Sequence, residues 1–382
     1  MTDRCEWIIC DRRDDSFLVL DEFKYYQSVY GELLTRKEFY DVTSPFLMDS
    51  QLNKTSSRIR RKKVNSANVP SSFLERCDRV QAIARRIKVA FAADKESIEP
   101  EDQRGNGRLK DTIKDVEGST NNLFSDCDFS SVRTQPLNEG DVIKEPTDEA
   151  IVYENSGESV IMTLAGDDHI LYCPPGSSFL MGHVKLTRHL VTSGQTFDFI
   201  LMDPPWQNRS VKRKHTYSMF DETDLAELRI PELLSEKGLL AMWVTNSYKA
   251  QAAAKKIIGE WGLQIIATWH WLKVTKSFDP VYQFVPHHKV PFESVFIACR
   301  PHSEAKYECI SNDFCFASVP HGSHSKKPPL HAVFQQFGFN LEGKNLELYA
   351  RCLQSNFLSV GYEPLRFQSK VFFTLEGDPH KR

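Results

Sequence analysis

The feature that most constrains this chain is a short apolar strand that ends at two adjacent prolines. Residues 199–202 read Phe-Ile-Leu-Met, a continuous apolar run that is typical of a parallel strand covered on both faces. Pro204 and Pro205 then remove two backbone donors, so the ladder of hydrogen bonds cannot continue. Asp203 and Trp206 are therefore left at the carboxyl end of the strand, the edge at which open α/β sheets bind their ligands.

Residues 203–206 suit the recognition of a flat base that carries an exocyclic amine. The Asp203 carboxylate and the Pro204 carbonyl can each accept one amine hydrogen, while Trp206 offers a face for stacking. The alternative is a strand-ending turn in which Asp203 caps a neighbouring group and Trp206 packs in the core. A complete D-P-P-W sequence is expected by chance less than about once in a thousand chains of this length.

This D-P-P-W tetrapeptide resembles the signature of the eukaryotic adenine-N6 methyltransferases of the MT-A (seventy-kilodalton subunit) family. The residues that follow, 207–213 with the sequence Gln-Asn-Arg-Ser-Val-Lys-Arg, are most similar to the branch called methyltransferase-like protein four. The resemblance covers the carboxyl-terminal half of the chain and implies S-adenosylmethionine as the methyl donor. The catalytic residues that it implies are Asp203, Pro204, Pro205 and Trp206.

The cofactor site is also implied by the resemblance. No G-x-G-x-x-G sequence follows a strand, which argues against a plain dinucleotide-binding protein and against a P-loop kinase. In the family the order of elements is permuted, so that most cofactor residues lie after the tetrapeptide. The matching positions in this chain are Lys327, Glu347, Arg351, Tyr362, Glu363, His183 and Val184.

Three positions depart from the family pattern and bear on affinity for the cofactor. Residues 361–363 read Gly-Tyr-Glu, without the asparagine that is expected to bond the ribose. Residues 354–357 read Gln-Ser-Asn-Phe where relatives have Q-P-G-W, and residues 181–184 replace a serine-aspartate-isoleucine run beside the cofactor's adenine. From the residues alone, the preferred interpretation of Glu347 and Arg351 is a cross-strand or local ion pair.

Three clusters are candidates for contact with nucleic acid. They are residues 212–215 with Tyr217 just beyond them, Lys273 at the end of the segment 269–273, and residues 286–289 with Glu293. A basic loop beside an aromatic ring is suited to hold a phosphodiester and an unstacked base. Adjacent histidines such as 287–288 seldom both bind one ion, and methyl transfer to nitrogen needs no metal, so no metal site is expected. The tryptophans at 243, 269 and 271 are expected in the core. The predicted substrate-binding residues are Lys212, Arg213, Lys214, Tyr217, Lys273 and Glu293.

The chain's 382 residues allow one large domain with an accessory region. Alternating strands and helices predict an α/β fold, and the resemblance makes it a Rossmann-like, permuted methyltransferase domain with a mostly parallel sheet. The predicted parts are residues 1–93, an accessory region with a basic cluster at 58–63 and an amphipathic helix from 71 or 72; residues 94–149, a flexible acidic and polar linker; residues 150–370, the methyltransferase domain; and residues 371–382, a C-terminal tail.

Nine cysteines without a C-x-x-C spacing predict reduced thiols in the cytosol or nucleus, and no membrane-spanning stretch is expected. The leading hypothesis is a nuclear enzyme that methylates adenine N6 in RNA, and the branch resemblance points to 2′-O-methyladenosine in spliceosomal small nuclear RNA. Adenine in DNA is an alternative substrate. A non-catalytic RNA-binding partner subunit is an alternative of another class, and a requirement for a protein partner is left open.

Overall fold

The computed structural model describes residues 6–46, 69–91, 129–144, 148–166, 169–206, 225–285, 289–323, 326–339 and 342–374. The strands in these ranges are β1 (Ile8–Arg12), β2 (Phe17–Leu20), β3 (Leu34–Thr35), β4 (Val132–Pro136), β5 (Val142–Ile143), β6 (Ala150–Glu154), β7 (Ile161–Ala165), β8 (His169–Cys173), β9 (Ser178–Met181), β10 (Phe197–Met202), β11 (Leu234–Val244), β12 (Gln264–Lys273), β13 (Phe292–Cys299), β14 (Cys315–Ser318), β15 (Asn345–Leu348), β16 (Phe357–Gly361) and β17 (Phe373–Thr374). The α-helices are α1 (Glu22–Tyr30), α2 (Ser71–Ala90), α3 (Thr187–Thr192), α4 (Ile230–Leu233), α5 (Tyr248–Glu260) and α6 (Leu330–Gln335).

A twelve-stranded sheet organises the described part of the chain, in the order β1-β2-β14-β12-β13-β11-β10-β15-β16-β9-β6-β4. Its centre, from β11 through β10, β15 and β16 to β9, is parallel throughout. Antiparallel pairings join β13 to both of its neighbours, β9 to β6, and β1 to β2. The prediction of an α/β fold with a mostly parallel sheet is confirmed.

The register of the parallel strands brings their carboxyl ends to one edge of the sheet. Met202, the last residue of β10, lies opposite Leu348 of β15 and Met242 of β11. Gly361, which ends β16, lies opposite Met181, which ends β9. The segments that follow these strands therefore begin side by side.

Alternation along β10 divides its side chains between two hydrophobic cores, as the pleat requires. Ile200 and Met202 pack in one core together with α5 and the apolar face of β15. Phe199 and Leu201 pack in the other core with α6 and the three predicted core tryptophans, each at most 1% exposed. The continuous apolar sequence of this strand is thus explained by burial on both faces.

The predicted accessory region is part of the same sheet. β2 pairs in parallel with β14, and its residues are at most 2% exposed. The amphipathic helix predicted from residue 71 is α2, whose apolar face covers this end of the sheet through Val80 and Ile87. Residues from both predicted parts therefore share one fold. The basic cluster at 58–63 lies outside the described residues.

Two of the predicted boundaries need correction. Residues 132–136 and 142–143, inside the predicted linker, are strands that pair with β6 and β7. Phe372 and Phe373, inside the predicted C-terminal tail, are buried against α1, and β17 pairs with β3. Composition misled in both places because a few apolar residues in a polar stretch suffice to anchor a short strand. The rest of the predicted linker up to residue 128, and residues 375–382, lie outside the described part.

Candidate active site

The tetrapeptide that follows β10 is fixed by backbone hydrogen bonds on both sides. The Asp203 amide donates to the Leu348 carbonyl at 3.3 Å, which extends the β10–β15 pairing by one residue. The Trp206 amide donates to the Pro204 carbonyl at 2.8 Å, and the Trp206 indole Nε1 donates to the Trp243 carbonyl at 2.7 Å. These bonds hold the tight turn between the two neighbouring strands β15 and β11.

The indole of Trp206 is a core residue and not a surface platform. It is only 4% exposed and packs among the apolar side chains between β10 and α5. The structure thus agrees with the alternative of a packed tryptophan, and stacking of a base on this ring stays a prediction. The apolar ring gains by packing in the core. Its N–H can be buried because the Trp243 carbonyl accepts the one hydrogen bond that an indole needs.

Asp203 lies between two cations contributed by later parts of the chain. Its Oδ2 contacts Nη1 of Arg351 and its Oδ1 lies 3.5 Å from Nζ of Lys327. The three side chains are between 13% and 24% exposed, so water screens the pairs only in part. Paired on both oxygens, the carboxylate has one fixed orientation at the edge of the sheet. Arg351 reaches it because Tyr349, directly after β15, turns the chain with a φ of 62°.

Lys327 is in turn linked to Lys273 through Glu293. Oε2 of Glu293 contacts Lys327 and Oε1 contacts Lys273, so one carboxylate bridges two ammonium groups. Burial acts to raise the pKa of Glu293, but the two lysines outweigh it and hold that pKa well below its usual range. Lys273 and Glu293 were predicted to contact substrate. In the structure both residues position Lys327, and their contact with substrate stays a prediction.

The two lysines also lie over tryptophan rings. Nζ of Lys327 is 5.0 Å from the Trp243 ring centre, and Nζ of Lys273 is 4.4 Å from that of Trp271. Burial lowers the pKa of Lys273 despite Glu293, whereas for Lys327 the combined attraction of Asp203 and Glu293 overcomes burial and raises the pKa. Lys327 is therefore a permanent cation beside Asp203.

The predicted cofactor residues after β16 and β9 form the opposite side of the site. Glu363 lies 3.9 Å from Arg351 and 3.2 Å from Arg366. Tyr362 meets the His183 ring edge-on, with the ring centres 5.8 Å apart. The His183 Nδ1 accepts a hydrogen bond from the Lys185 amide at 3.0 Å. Val184 is 3% exposed, and its side chain packs in the core beside the site.

Glu347 stands in the sheet itself, next to Asp203. It is 9% exposed and accepts a hydrogen bond from Nε2 of Gln354 at 2.6 Å. Burial, offset in part by Gln354 and reinforced by the Asp203 charge, raises the pKa of the Glu347 carboxyl to about 8. The local ion pair of Glu347 with Arg351, considered from sequence, is not among the salt bridges of the described residues, where Arg351 pairs with Asp203 and Glu363.

Asp203, Lys327, Glu347 and Arg351 open onto one narrow cleft. One wall comes from the N-terminal region, because Tyr26 of α1 lines the cleft together with Asp203 and Lys327. Tyr26 is held there by Lys326, whose Nζ lies 3.7 Å from the Tyr26 ring centre and donates to the Tyr40 hydroxyl at 3.0 Å. No motif in the sequence pointed to Tyr26. Gln354 belongs to residues 354–357, a segment already seen to depart from the family pattern.

The residues present fit S-adenosylmethionine. Lys327 and Arg351 are cations suited to a carboxylate, while Asp203 and Glu363 are acceptors suited to an ammonium group and to ribose hydroxyls. Gln354 also lines the cleft, where its Nε2 donates a hydrogen bond to Glu347. Asp203, Arg351 and Glu363 follow adjacent parallel strands, where α/β proteins bind cofactors, and Lys327 reaches them from the loop before α6.

The remaining predicted residues cannot be placed in the site. Lys212, Arg213, Lys214 and Tyr217 lie outside the described residues, as do His287 and His288. Their contact with nucleic acid stays a prediction. Among the described helices, none is both long enough and apolar enough to cross a membrane.

Comparison with known proteins agrees with the geometry of the site. The model of the MT-A70 family matches residues 197–363, which run from the start of β10 to Glu363. A Caenorhabditis elegans protein named DNA N6-methyl methyltransferase is 35% identical over 372 residues, covering 94% of this chain and 98% of its own length.

Two other relatives are similar over a shorter stretch. The Homo sapiens N(6)-adenine-specific methyltransferase METTL4 is 35% identical over 232 residues, or 58% of this chain and 48% of that protein. The Pyricularia oryzae N6-methyladenosine RNA methyltransferase MTA1 is 33% identical over 210 residues, or 52% of this chain and 55% of that protein. The match thus spans about half the length of each of these two proteins. Because similarity extends along nearly the whole chain to the worm protein and covers the complete site, this chain belongs to the MT-A70 family of S-adenosylmethionine-dependent adenine-N6 methyltransferases, in the methyltransferase-like protein four branch.

Proposed function

We propose that this enzyme methylates adenine N6 in RNA, and that its target is 2′-O-methyladenosine in spliceosomal small nuclear RNA. The observation that carries the adenine assignment is the position of Asp203, a rigidly held acceptor at the cofactor edge of the sheet. The resemblance to the methyltransferase-like protein four branch supports the small nuclear RNA target. The fungal relatives, which are named as RNA methyltransferases, support RNA as the polymer.

The shape of the site favours an unpaired nucleotide. Asp203 lies in a narrow cleft whose wall includes Tyr26 of α1, so a target adenine must leave a double helix to reach this carboxylate. A base inside a double helix must first leave the stack, which costs a few kcal/mol, and this cost is least in a single strand. Single-stranded loops are the usual recognition elements of RNA. This argument supports RNA over duplex DNA.

The bound cofactor supplies an electrophilic methyl group, and the residues of this chain bring the amine to it. Asp203 accepts a hydrogen bond from the amine, which turns the nitrogen lone pair out of conjugation with the ring and stabilises the growing positive charge. Arg351 and Lys327 hold the carboxylate so that no reorganisation is needed during transfer. The amine proton leaves to water after the transfer.

Positioning contributes more than proton transfer in this scheme. A well-oriented pair of reactants accounts for roughly 7–11 kcal/mol, whereas a general base contributes about 10²–10⁴-fold, equivalent to about 3–5 kcal/mol. The Pro204 carbonyl keeps a second lone pair for the other amine hydrogen, because the Trp206 amide occupies only one. Trp206 stabilises this turn through the hydrogen bonds of its amide and its indole.

DNA is a second candidate substrate. The worm relative, which matches 94% of this chain, is named as a DNA N6-methyl methyltransferase. The site chemistry is the same for both polymers, because Asp203 and Pro204 address the base and not the sugar. The two substrates must therefore be separated by experiment.

The test is transfer of labelled methyl from S-adenosylmethionine to matched RNA and DNA oligonucleotides, with and without 2′-O-methylation at one adenosine. We expect label on RNA adenine N6, greatest beside the 2′-O-methyl group and abolished in Asp203→Ala. Label on DNA alone would replace the substrate and keep the mechanism. No label together with no binding of the cofactor would support the alternative of a non-catalytic RNA-binding subunit.

We further propose a nuclear location, because spliceosomal RNA is modified there and because residues 58–63 read Arg-Ile-Arg-Arg-Lys-Lys, a pattern of nuclear import signals. A fluorescent fusion of the whole chain should concentrate in the nucleus. Replacement of the four consecutive basic residues 60–63 by glutamine should release it to the cytosol, and an unchanged distribution would remove the basis for this proposal.

A further inference from the structure

A row of buried polar side chains runs from the cleft to the N-terminal helix. Glu347 accepts a hydrogen bond from Gln354, the Gln354 side chain faces the His331 imidazole, and Nε2 of His331 contacts the Tyr25 hydroxyl. All four residues are at most 9% exposed. The row joins β15, the loop after it, α6 and α1, and none of its members is needed to bind the adenine amine.

Two atoms in the middle of the row have no hydrogen-bond partner among the described residues. They are Oε1 of Gln354 and Nδ1 of His331, which belong to side chains that face each other. A buried polar atom without a partner is costly, and amide orientation and imidazole tautomer are both free to adjust. The row therefore has two arrangements in which both of these atoms have a partner.

In the first arrangement Glu347 is ionised. The Tyr25 hydroxyl donates to Nε2 of His331, Nδ1–H donates to Oε1 of Gln354, and Nε2 of Gln354 donates to the carboxylate. In the second arrangement Glu347 carries a proton and every bond reverses. The carboxyl then donates to Oε1 of Gln354, Nε2 of Gln354 donates to Nδ1 of His331, and Nε2–H donates to the tyrosine oxygen.

The charges around Glu347 decide which arrangement is occupied. Asp203 acts against ionisation and Arg351 acts for it, and burial acts against it most strongly, which places the pKa of Glu347 at about 8. The other groups along the row are neutral, because burial lowers the pKa of His331 to about 4, raises that of Cys352 to about 11 and raises that of Tyr25. Lys327 and Lys326 are the further cations at this wall. At neutral pH one additional positive charge in the cleft shifts Glu347 from its protonated towards its ionised form.

We propose that Glu347 is the residue through which the site distinguishes the charged methyl donor from its product, because it is ionised beside the sulfonium and protonated beside the neutral thioether. The donor and the product differ by one methyl group and one positive charge. Glu347 and Asp203 line the same cleft as Lys327 and Arg351. The difference in charge between donor and product therefore acts electrostatically on the Glu347 carboxyl.

The proton balance of a turnover follows from this assignment. Glu347 releases one proton to solvent when the donor is bound. During transfer the S–C bond breaks with its electron pair kept by sulfur, the N–C bond forms, and the amine loses one proton to water. Glu347 then takes up one proton from solvent.

The test measures binding of S-adenosylmethionine and of S-adenosylhomocysteine by calorimetry to the whole protein. Between about pH 6.5 and about pH 8.5, the preference for donor over product should rise by up to about 20-fold in the wild type. At about pH 7, titrations in buffers of different ionisation enthalpy should show about one proton released with the donor and none with the product. This inference rests on the assignment of the cofactor.

Glu347→Gln keeps the shape and a hydrogen bond to Gln354 but cannot ionise. Its preference for donor over product should not change with pH, and the released proton should be lost. Glu363→Gln is the matched control: it removes another carboxylate at the same edge, one already paired with arginines, and should keep the pH dependence. A wild-type preference that is independent of pH would overturn the inference even if the Gln variant failed to fold. Failure of both ligands to bind would instead overturn the cofactor assignment.

Discussion

Glu293 is the residue whose removal tests the charge network most sharply. One carboxylate holds two ammonium groups, and the three side chains are between 14% and 25% exposed. Lys327 keeps Asp203 as a second anion, but Lys273 has no other carboxylate within salt-bridge distance among the described residues. Glu293→Gln preserves the shape of the side chain and leaves Lys273 as an uncompensated cation.

The cost follows from the burial of that cation. Breaking a buried ion pair by removing one partner costs about 3–5 kcal/mol, and partial exposure lowers this to about 3 kcal/mol. We therefore expect Glu293→Gln to lower the free energy of unfolding in urea by about 3 kcal/mol at neutral pH. The double variant Glu293→Gln with Lys273→Met should recover about half of the loss, because it removes the unpaired charge as well.

The same argument fixes the pH dependence. The pKa of Glu293 in the folded protein lies below its ordinary value of 4.5, so its contribution is fully present above about pH 4.5 and is lost as the pH falls towards the folded pKa. The difference between the wild type and Glu293→Gln should therefore shrink in acid.

A surface pair provides the control for this experiment. Glu260 lies 3.6 Å from Lys256 on α5, and both side chains are more than half exposed. Glu260→Gln should change the free energy of unfolding by less than about 0.5 kcal/mol. If Glu293→Gln were as mild as this control, the network would not hold the site together and the reasoning would fail.

Three further predictions concern the tetrapeptide and the N-terminal region. Asp203→Asn keeps one acceptor oxygen and should retain more methyl transfer than Asp203→Ala; equal, near-wild-type rates for both would contradict the acceptor role. Trp206→Phe should lower the free energy of unfolding by about 1–2 kcal/mol through loss of the bond to Trp243 while KM for the oligonucleotide changes little, whereas a large rise in KM would support the stacking role. Deletion of residues 1–46 should prevent folding as judged by circular dichroism, because it removes β2 from the sheet and Tyr26 from the cleft; a folded, active product would show that this region is dispensable.

The sequence by itself determined the class of fold and the location of the site. An apolar run stopped by Pro204 and Pro205 defines a strand end from local chemistry alone, because proline removes a donor wherever it stands. The alternation of apolar runs and helical periods then predicts parallel strands, and parallel strands place their following residues at one edge. Lys327, Glu347 and Arg351 were assigned by resemblance, and the structure brings all three to the cleft.

Only the tertiary structure decided the contacts between these residues. Whether Trp206 faces a ligand or the core depends on the Trp243 carbonyl, which the register of β10 and β11 brings next to it. The bridge from Lys273 through Glu293 to Lys327 depends on the antiparallel pairing of β12 with β13. Local pattern cannot report such contacts, because each depends on packing between segments far apart in sequence. For the same reason α1, which shows no motif, became a wall of the cleft.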